Sequence, residues 1–207
     1  DRALEQALSG DFTLRNLPLF KLVEAIVRAQ QGRSDDALSE TSNLLSLSEI
    51  SQPLATKSIG GNASIDSLSM SDDDRVVAHI VHAQILSRMR RLKEAHKVLS
   101  EAKVNFAGTP QEVQILVASA KLAVERGDYD AAIRMLDKID EDHSSFMRAQ
   151  LLKADILLNH ARDKEGYTKC HHELVEREPS AKTYSLLGQA YLRILNPEAA
   201  VNALENA

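Results

Sequence analysis

Apolar residues recur along the chain at intervals of three and four, as in Leu116, Ala120, Ala123 and Val124, and again in Ile133, Leu136 and Ile139. Side chains with that spacing share one face of an α-helix. No run alternates with period two while carrying β-branched or aromatic residues, so strands are not expected. The breaks between periodic runs carry helix-start chemistry. Proline is tolerated in a first turn, where its missing N–H would have no intrahelical partner. Pro18, Pro110, Pro179 and Pro197 each stand at or just before a periodic segment. Thr109-Pro110-Gln111-Glu112 reads as a capping box with its N-cap at Thr109. Asn196-Pro197 reads as N-cap and N1, and Ser34, Asp128 and Asp163 are further N-cap candidates. The expectation is an all-α chain with helices of about 12–14 residues.

The helices form pairs, and the pairs repeat. Ala132, Gly166 and Ala200 are 34 residues apart, as are Ala120, Ala154 and Gly188, and Leu136, Cys170 and Leu204. This is the period of the tetratricopeptide helix–turn–helix unit. That unit needs small residues at positions 8 and 20, where its two helices cross. Starts at Val113, Met147 and Ala181 place Ala120, Ala154 and Gly188 at position 8, and Ala132, Gly166 and Ala200 at position 20. A start at Val76 does the same with Ala83 and Ala95, and a start at Pro18 with Ala25 and Ala37. The expected fold is a tetratricopeptide-repeat α-solenoid, a right-handed superhelical array. Residues 1–17 read as the end of a preceding repeat and 18–47 as a repeat. Residues 48–72 read as a Ser-rich flexible insertion. Repeats follow at 73–112, 113–146 and 147–180, with 181–207 truncated in its second helix. The first residue is not Met and both ends cut through repeats, so the chain reads as an internal piece of a longer protein.

Composition narrows the function. The chain has 207 residues, and its 43% hydrophobic content suffices for a core. A net charge of −5 does not favour nucleic acid. The longest apolar run, residues 115–124, is too short and too polar for membrane insertion. A single cysteine excludes an internal disulfide and suits a reducing compartment. No phosphate-cradling loop, nucleophile elbow or zinc motif is present, so no catalytic residue, metal or cofactor is expected. Cys170-His171-His172 is the most reactive-looking cluster, but consecutive helical residues point about 100° apart and cannot converge on one metal. It reads as a buried structural thiol flanked by two partly exposed imidazoles. His79 and His82 fall at packing positions. The basic run from Arg88 to Lys93 reads as a solvated inter-helix turn or a contact to an acidic partner. Asp72, Asp73 and Asp74 precede a helix expected near Arg75 and complement its N-terminus. Upstream, Ser69 and Ser71 each have an Asp three residues on and are candidate phosphorylation sites.

Repeat arrays of this kind bind through the concave face lined by each first helix. On that face the sequence places Gln114, Val117 and Lys121, then Arg148, Leu151 and Asp155, then Lys182, Ser185 and Gln189. The lysine and asparagine pair that grips a C-terminal carboxylate in co-chaperones is absent from all five repeats. The mixed lining suits a protein segment or a neighbouring helix. Two uses remain open: a structural scaffold, or a free-standing adaptor that captures linear peptides in the groove.

Several stretches go beyond the generic repeat. They are Asp11-Phe12-Thr13-Leu14-Arg15-Asn16-Leu17-Pro18-Leu19-Phe20, Phe106-Ala107-Gly108-Thr109-Pro110-Gln111-Glu112-Val113, Lys153-Ala154-Asp155-Ile156-Leu157-Leu158 and Leu186-Leu187-Gly188-Gln189-Ala190-Tyr191. In that order they resemble the tetratricopeptide repeat protein 21 family, the large all-repeat subunit of ciliary intraflagellar transport complex A. The resemblance implies a non-catalytic scaffold serving retrograde transport and membrane-protein import in cilia. It implies other complex A subunits, which are propeller-and-repeat proteins, as partners. It also implies a location in the cilium and its basal body.

Overall fold

The computed structural model describes residues 17–47 and 70–207. Among these residues are ten α-helices, one π-helical turn and no strand. In order they are α1 (Pro18–Gln30), α2 (Ser34–Leu45), α3 (Asp72–Arg88), α4 (Leu92–Asn105), α5 (Glu112–Glu125) and α6 (Tyr129–Leu136). Then come α7 (Phe146–Ile156), the π turn Leu157–Ala161, α8 (Lys164–Arg177), α9 (Ala181–Arg193) and α10 (Pro197–Glu205). The expected end of a preceding repeat lies outside the described residues apart from Leu17. So does the expected insertion, apart from Met70, Ser71 and Asp72. Helix lengths are less uniform than the period suggests, from 8 residues in α6 to 17 in α3. The chain divides into two compact units, residues 1–118 and 119–207.

The five helix pairs share one turn. A residue after the first helix takes the left-handed conformation: Gly32, Arg90, Gly127, Arg162 and Leu195, with φ between 56° and 81°. The next residue's N–H then closes back on the helix. Arg33 donates to the Arg28 carbonyl (3.0 Å), Arg91 to Leu86, Asp128 to Ala123 and Asn196 to Tyr191 (2.9 Å each). That same residue is the N-cap of the second helix. Asp128, Asp163 and Asn196 fill the role with side-chain oxygens that accept from the N–H groups of Ala131, Gly166 and Ala199. Ser34 is not the cap of α2. The turn puts Arg33 there and makes Ser34 the first helical residue, without a side-chain cap. The capping box expected at Thr109 is also absent. The Thr109 hydroxyl donates to the Phe106 carbonyl (2.7 Å), and the Glu112 carboxylate accepts from the Gly108 N–H (2.8 Å). Helix α5 therefore starts at Glu112.

The fourth turn is one residue longer than the others. Asp163 donates to the Leu157 carbonyl (2.9 Å), six residues back rather than five, across the π turn. The added residue shifts α8 relative to the 34-residue spacing. Counting four residues on from each N-cap gives Ala37, Ala95, Ala132, Tyr167 and Ala200, all buried. Gly166, assigned to that crossing from spacing alone, sits one residue early. It is half-buried, and a Cβ there would meet the Asp163 carboxylate and Leu157 Cδ1 at 3.2 Å. Its small size admits the cap, whereas Tyr167 holds the buried position.

In the first unit, α1 packs on α2, α2 on α3 and α3 on α4. Leu22, Leu44, Met70 and Ala78 form a buried cluster flanked by Ile26, Leu45, Val77 and Val81. Arg28 of α1 pairs with Glu24 on its own helix (2.5 Å) and joins α1 to α2 through Glu40 (3.0 Å). Arg75 is only 2% exposed. Its guanidinium pairs with Asp72 (3.1 Å) and lies 5.5 Å from the ring centroid of buried Phe106. The Thr41 hydroxyl donates within its own helix to the Ala37 carbonyl (2.9 Å) and contacts His82 Nδ1 at 2.7 Å. With that hydrogen committed, Nδ1–H of a neutral His82 is the donor to Thr41.

In the second unit, α7 packs on α6 and on α8, α8 on α9, and α9 on α10. Ala154 and Gly188 are buried at their crossings. A Cβ on Gly188 would lie 2.6 Å from Leu204 Cγ and 3.4 Å from the Ala200 carbonyl. Leucine at either position should cost about 1–3 kcal/mol through overpacking. Urea melts of Ala154→Leu and Gly188→Leu read this, and unchanged midpoints in both would contradict the crossing geometry.

Burial, reinforced by the nearby Arg91 charge and opposed by Glu94, lowers the His82 pKa below its ordinary 6.5. The unfolded chain therefore binds a proton near pH 6.5 that the folded chain refuses. Stability should fall as pH drops from 6.5 toward the folded-state value, and be free of this effect above 6.5. Denaturant melts from pH 5 to 8 should show a shallower slope in His82→Gln; an unaltered slope would exclude His82 as its source.

Candidate functional site

The second unit carries a groove between α7 and α9, with α8 behind it. Its cavity is about 240 Å³ and is lined by Leu151, Asp155, Tyr167, His171, Leu186, Gln189, Ala190 and Arg193. Leu151 and Asp155 lie four apart on α7, so they share a face. Gln189 and Arg193 do the same on α9. The structure thus brings together Leu151, Asp155 and Gln189 from the face marked out by spacing. Arg193, which the sequence pattern did not single out, joins them. Its guanidinium pairs with Asp155 (2.8 Å), bonds Asn159 Oδ1 (3.3 Å) and lies 5.9 Å from the Tyr167 ring centroid. Thirty-eight residues separate Arg193 from Asp155, so only the packing of α9 beside α7 reveals the pair.

The longer fourth turn shapes the back of this groove. It puts Tyr167 and His171 where unshifted spacing would put Gly166 and Cys170. His171 is buried, not partly exposed, and only His172 of the two imidazoles is open. His171 Nδ1 lies 2.9 Å from the Tyr167 carbonyl, so this nitrogen carries the hydrogen. Burial lowers the His171 pKa, with that hydrogen bond opposing it. The imidazole ring meets the Tyr167 ring edge-on at 4.7 Å. On the far side of the turn, His160 stacks on Tyr129 at 3.9 Å.

The remaining residues of the expected face differ in access. Arg148, Lys182 and Gln189 are exposed; Gln114, Lys121 and Ser185 are half-buried. Gln114 donates to Asp73 at 3.4 Å. Val117 is 2% exposed and belongs to the core. Its neighbours Ile115 and Leu116 are buried as well, so α5 is apolar around much of its girth and has no open apolar stripe there. Lys121 is held below the usual lysine pKa by burial and then by the Arg148 charge.

Other candidates resolve into structural roles. The basic run is taken up locally: Arg88 donates to the Ala29 carbonyl (3.3 Å), Arg90 is the left-handed turn residue, and Arg91 grips Glu94 through two 2.7 Å bonds. Ser71 is the N-cap of α3, which begins at Asp72 rather than near Arg75. Its hydroxyl accepts from the Asp74 N–H (3.1 Å), and Asp74 returns the capping box. Ser69 lies outside the described residues. Among the described residues no three His, Cys, Asp or Glu side chains group to hold a metal ion, and no helix is long and apolar enough to cross a membrane.

Cys170 is buried, and burial pushes its thiol up to about 11, against a smaller downward pull from Lys153. A thiol so placed is almost wholly protonated at neutral pH. A maleimide at pH 7.5 should label the native protein far more slowly than the urea-unfolded chain. Equal rates would show an accessible thiolate.

Comparison with known proteins agrees with this architecture. The MamA RS-1 ArsTM double mutant superposes with a TM-score of 0.54 at 11% identity, covering 92% of both chains. MamA protein gives 0.52 at 11% identity over 92% of this chain and 89% of its own. These likenesses show the all-α tetratricopeptide-type fold. Tetratricopeptide repeat protein 21B of Homo sapiens is 33% identical over the whole chain, and that of Xenopus laevis 32% identical over 99% of it. The Caenorhabditis elegans homolog is 27% identical over the whole chain. The chain spans 15% of the length of these relatives. The family described as tetratricopeptide repeat protein 21 ARM repeat matches residues 12–174. By that match, over most of its length, the chain belongs to the tetratricopeptide repeat protein 21 family.

Proposed function

We propose that this chain is a non-catalytic segment of a protein–protein interaction scaffold. Family membership across residues 12–174 of a helix-pair fold carries the reading. In it, the five helix pairs are consecutive repeats with the boundaries expected from the 34-residue period. The scaffold is the intraflagellar transport complex A solenoid, serving retrograde ciliary transport and ciliary membrane-protein import. Its partners are other complex A subunits, and it works in the cilium and at the basal body. The face of the second unit bearing Lys121, Arg148, Leu151, Asp155, Lys182, Ser185 and Gln189 is the surface offered to them. Catalysis has no place in this reading: the one thiol is buried and protonated, and Asp155 is tied to Arg193.

The groove between α7 and α9 favours a second use, capture of a linear peptide by a free-standing adaptor. The two uses differ in what must be present for binding. Crosslinking mass spectrometry on the intact assembly should link this segment to other complex A subunits. Absence of such links, with normal complex assembly and ciliary traffic after removal of the segment, would refute the scaffold. If Lys121→Ala, Asp155→Ala and Gln189→Ala together abolish binding of a short peptide to the isolated protein, the adaptor reading replaces it.

A further inference from the structure

The groove between α7 and α9 contains a buried polar group that the protein itself leaves unanswered. His171 of α8 is only 5% exposed. Its Nδ1–H is committed to the Tyr167 carbonyl at 2.9 Å. Burial holds the imidazole below its ordinary pKa, so at pH 7 the ring is neutral and Nε2 carries a lone pair. Among the described residues nothing donates to that nitrogen. In the second unit the polar side-chain atom that is both sealed from solvent and unpartnered is Gln150 Oε1. His171 Nε2 is therefore not sealed, and the open space that His171 lines is the groove. A buried acceptor with room in front of it and no partner is a place for a donor from outside.

The other walls say what kind of donor fits. Asp155 and Arg193 pair at 2.8 Å and supply the charge lining the cavity, so it presents no net charge. A carboxylate would set its own lone pairs against Nε2. An ammonium or guanidinium would give up water for a seat whose one carboxylate is already matched. The rest of the lining is largely apolar, from Leu151, Leu186, Ala190 and the Tyr167 ring. The cavity of about 240 Å³ is many times the ~30 Å³ share of one water, so a serine or threonine hydroxyl would leave most of it empty. Gln189 and Arg193 add N–H donors, so the incoming group should accept as well as donate. A phenol combines an apolar ring with a hydroxyl that does both.

We propose that this groove seats a tyrosine side chain of a partner protein, its hydroxyl donating to His171 Nε2 and its ring lying between Leu151 of α7 and Leu186 of α9. This rests on the reading of the face as a protein-interaction surface, and it names the group that the face recognises. A tryptophan N–H could donate to Nε2 but accepts nothing, and an asparagine amide leaves the leucines without an apolar partner.

The test uses the full-length protein in its native assembly. Lys182 is exposed and lies four residues before Leu186 on α9, so it stands beside the groove without lining it. A crosslinker with an amine-reactive ester at one end and a diazirine at the other should join Lys182 to a partner segment that contains a tyrosine. Replacing that tyrosine by Phe should weaken binding about fivefold, the worth of one hydrogen bond. His171→Phe, which keeps a ring, should weaken it equally, and the two changes together should cost no more than either alone. Leu186→Trp fills the cavity from a half-buried wall and should cost as much binding as replacing the partner tyrosine by Ala. That variant gives a reading even where His171→Phe fails to fold. A linked segment without tyrosine, tyrosines that tolerate Phe, or losses that multiply in the double change each overturn the seat and leave the scaffold standing. Unaltered affinity in Leu186→Trp overturns it as well. So does the absence of any link from Lys182; if deletion of the segment then releases no partner either, the interaction reading of this face fails with it.

Discussion

Two helices joined by a short turn can bury their facing sides only if they approach closely where they cross, at about 8–10 Å between axes. Most of the other packing follows from that approach. Ala25, Ala83, Ala120, Ala154 and Gly188 meet the requirement on the first helices, and Ala37, Ala95, Ala132 and Ala200 on the second. Larger apolar residues such as Leu22, Leu44, Leu99 and Leu174 then fill the space around the crossings. At Gly188 the margin is smallest, because Leu204 already occupies the place a Cβ would take.

The turn supplies the second constraint. A left-handed residue reverses the chain and fixes the next residue as N-cap, whatever its identity. That explains why Arg33 and Arg91 stand where Asp or Asn stands in the later pairs. It also explains why Arg90, Arg162 and Leu195 accept a conformation that costs a non-glycine residue about 1–2 kcal/mol. Lengthening one turn by a residue, through a π turn, rotates the start of the next helix. A tyrosine and a neutral histidine consequently back the groove between α7 and α9 in place of a glycine and a thiol.

Part of the charge on this frame is paired. Arg28, Arg75, Arg91, Lys153 and Arg193 each face a carboxylate, and the exposed pairs among them contribute little to stability because water screens them. Their effect is on orientation. Arg193 bridges α9 to α7 at the mouth of the groove, and Arg75 anchors the start of α3 against Phe106 at the end of α4.

Periodicity, proline placement and small-residue spacing made the helices and their pairing legible, because 3.6-residue amphipathicity and close crossings leave direct marks in sequence; the family was legible only in stretches beyond the generic repeat. Asp128, Asp163 and Asn196 were readable as caps because their side-chain chemistry is local. Ser34 and Thr109 misled because the same chemistry competes with turn geometry that involves residues further back. A constant 34-residue spacing placed Gly166 and Cys170 one residue away from their structural equivalents. The added residue is absorbed in a hydrogen-bond pattern that leaves no mark on spacing. Leu151, Asp155 and Gln189 of the groove were readable in the same way, as positions on the exposed faces of first helices. Arg193 and the burial of Val117 were not. Each depends on which helix packs beside which, and side-chain burial and ion pairing across helices are properties of that packing rather than of any local run of residues.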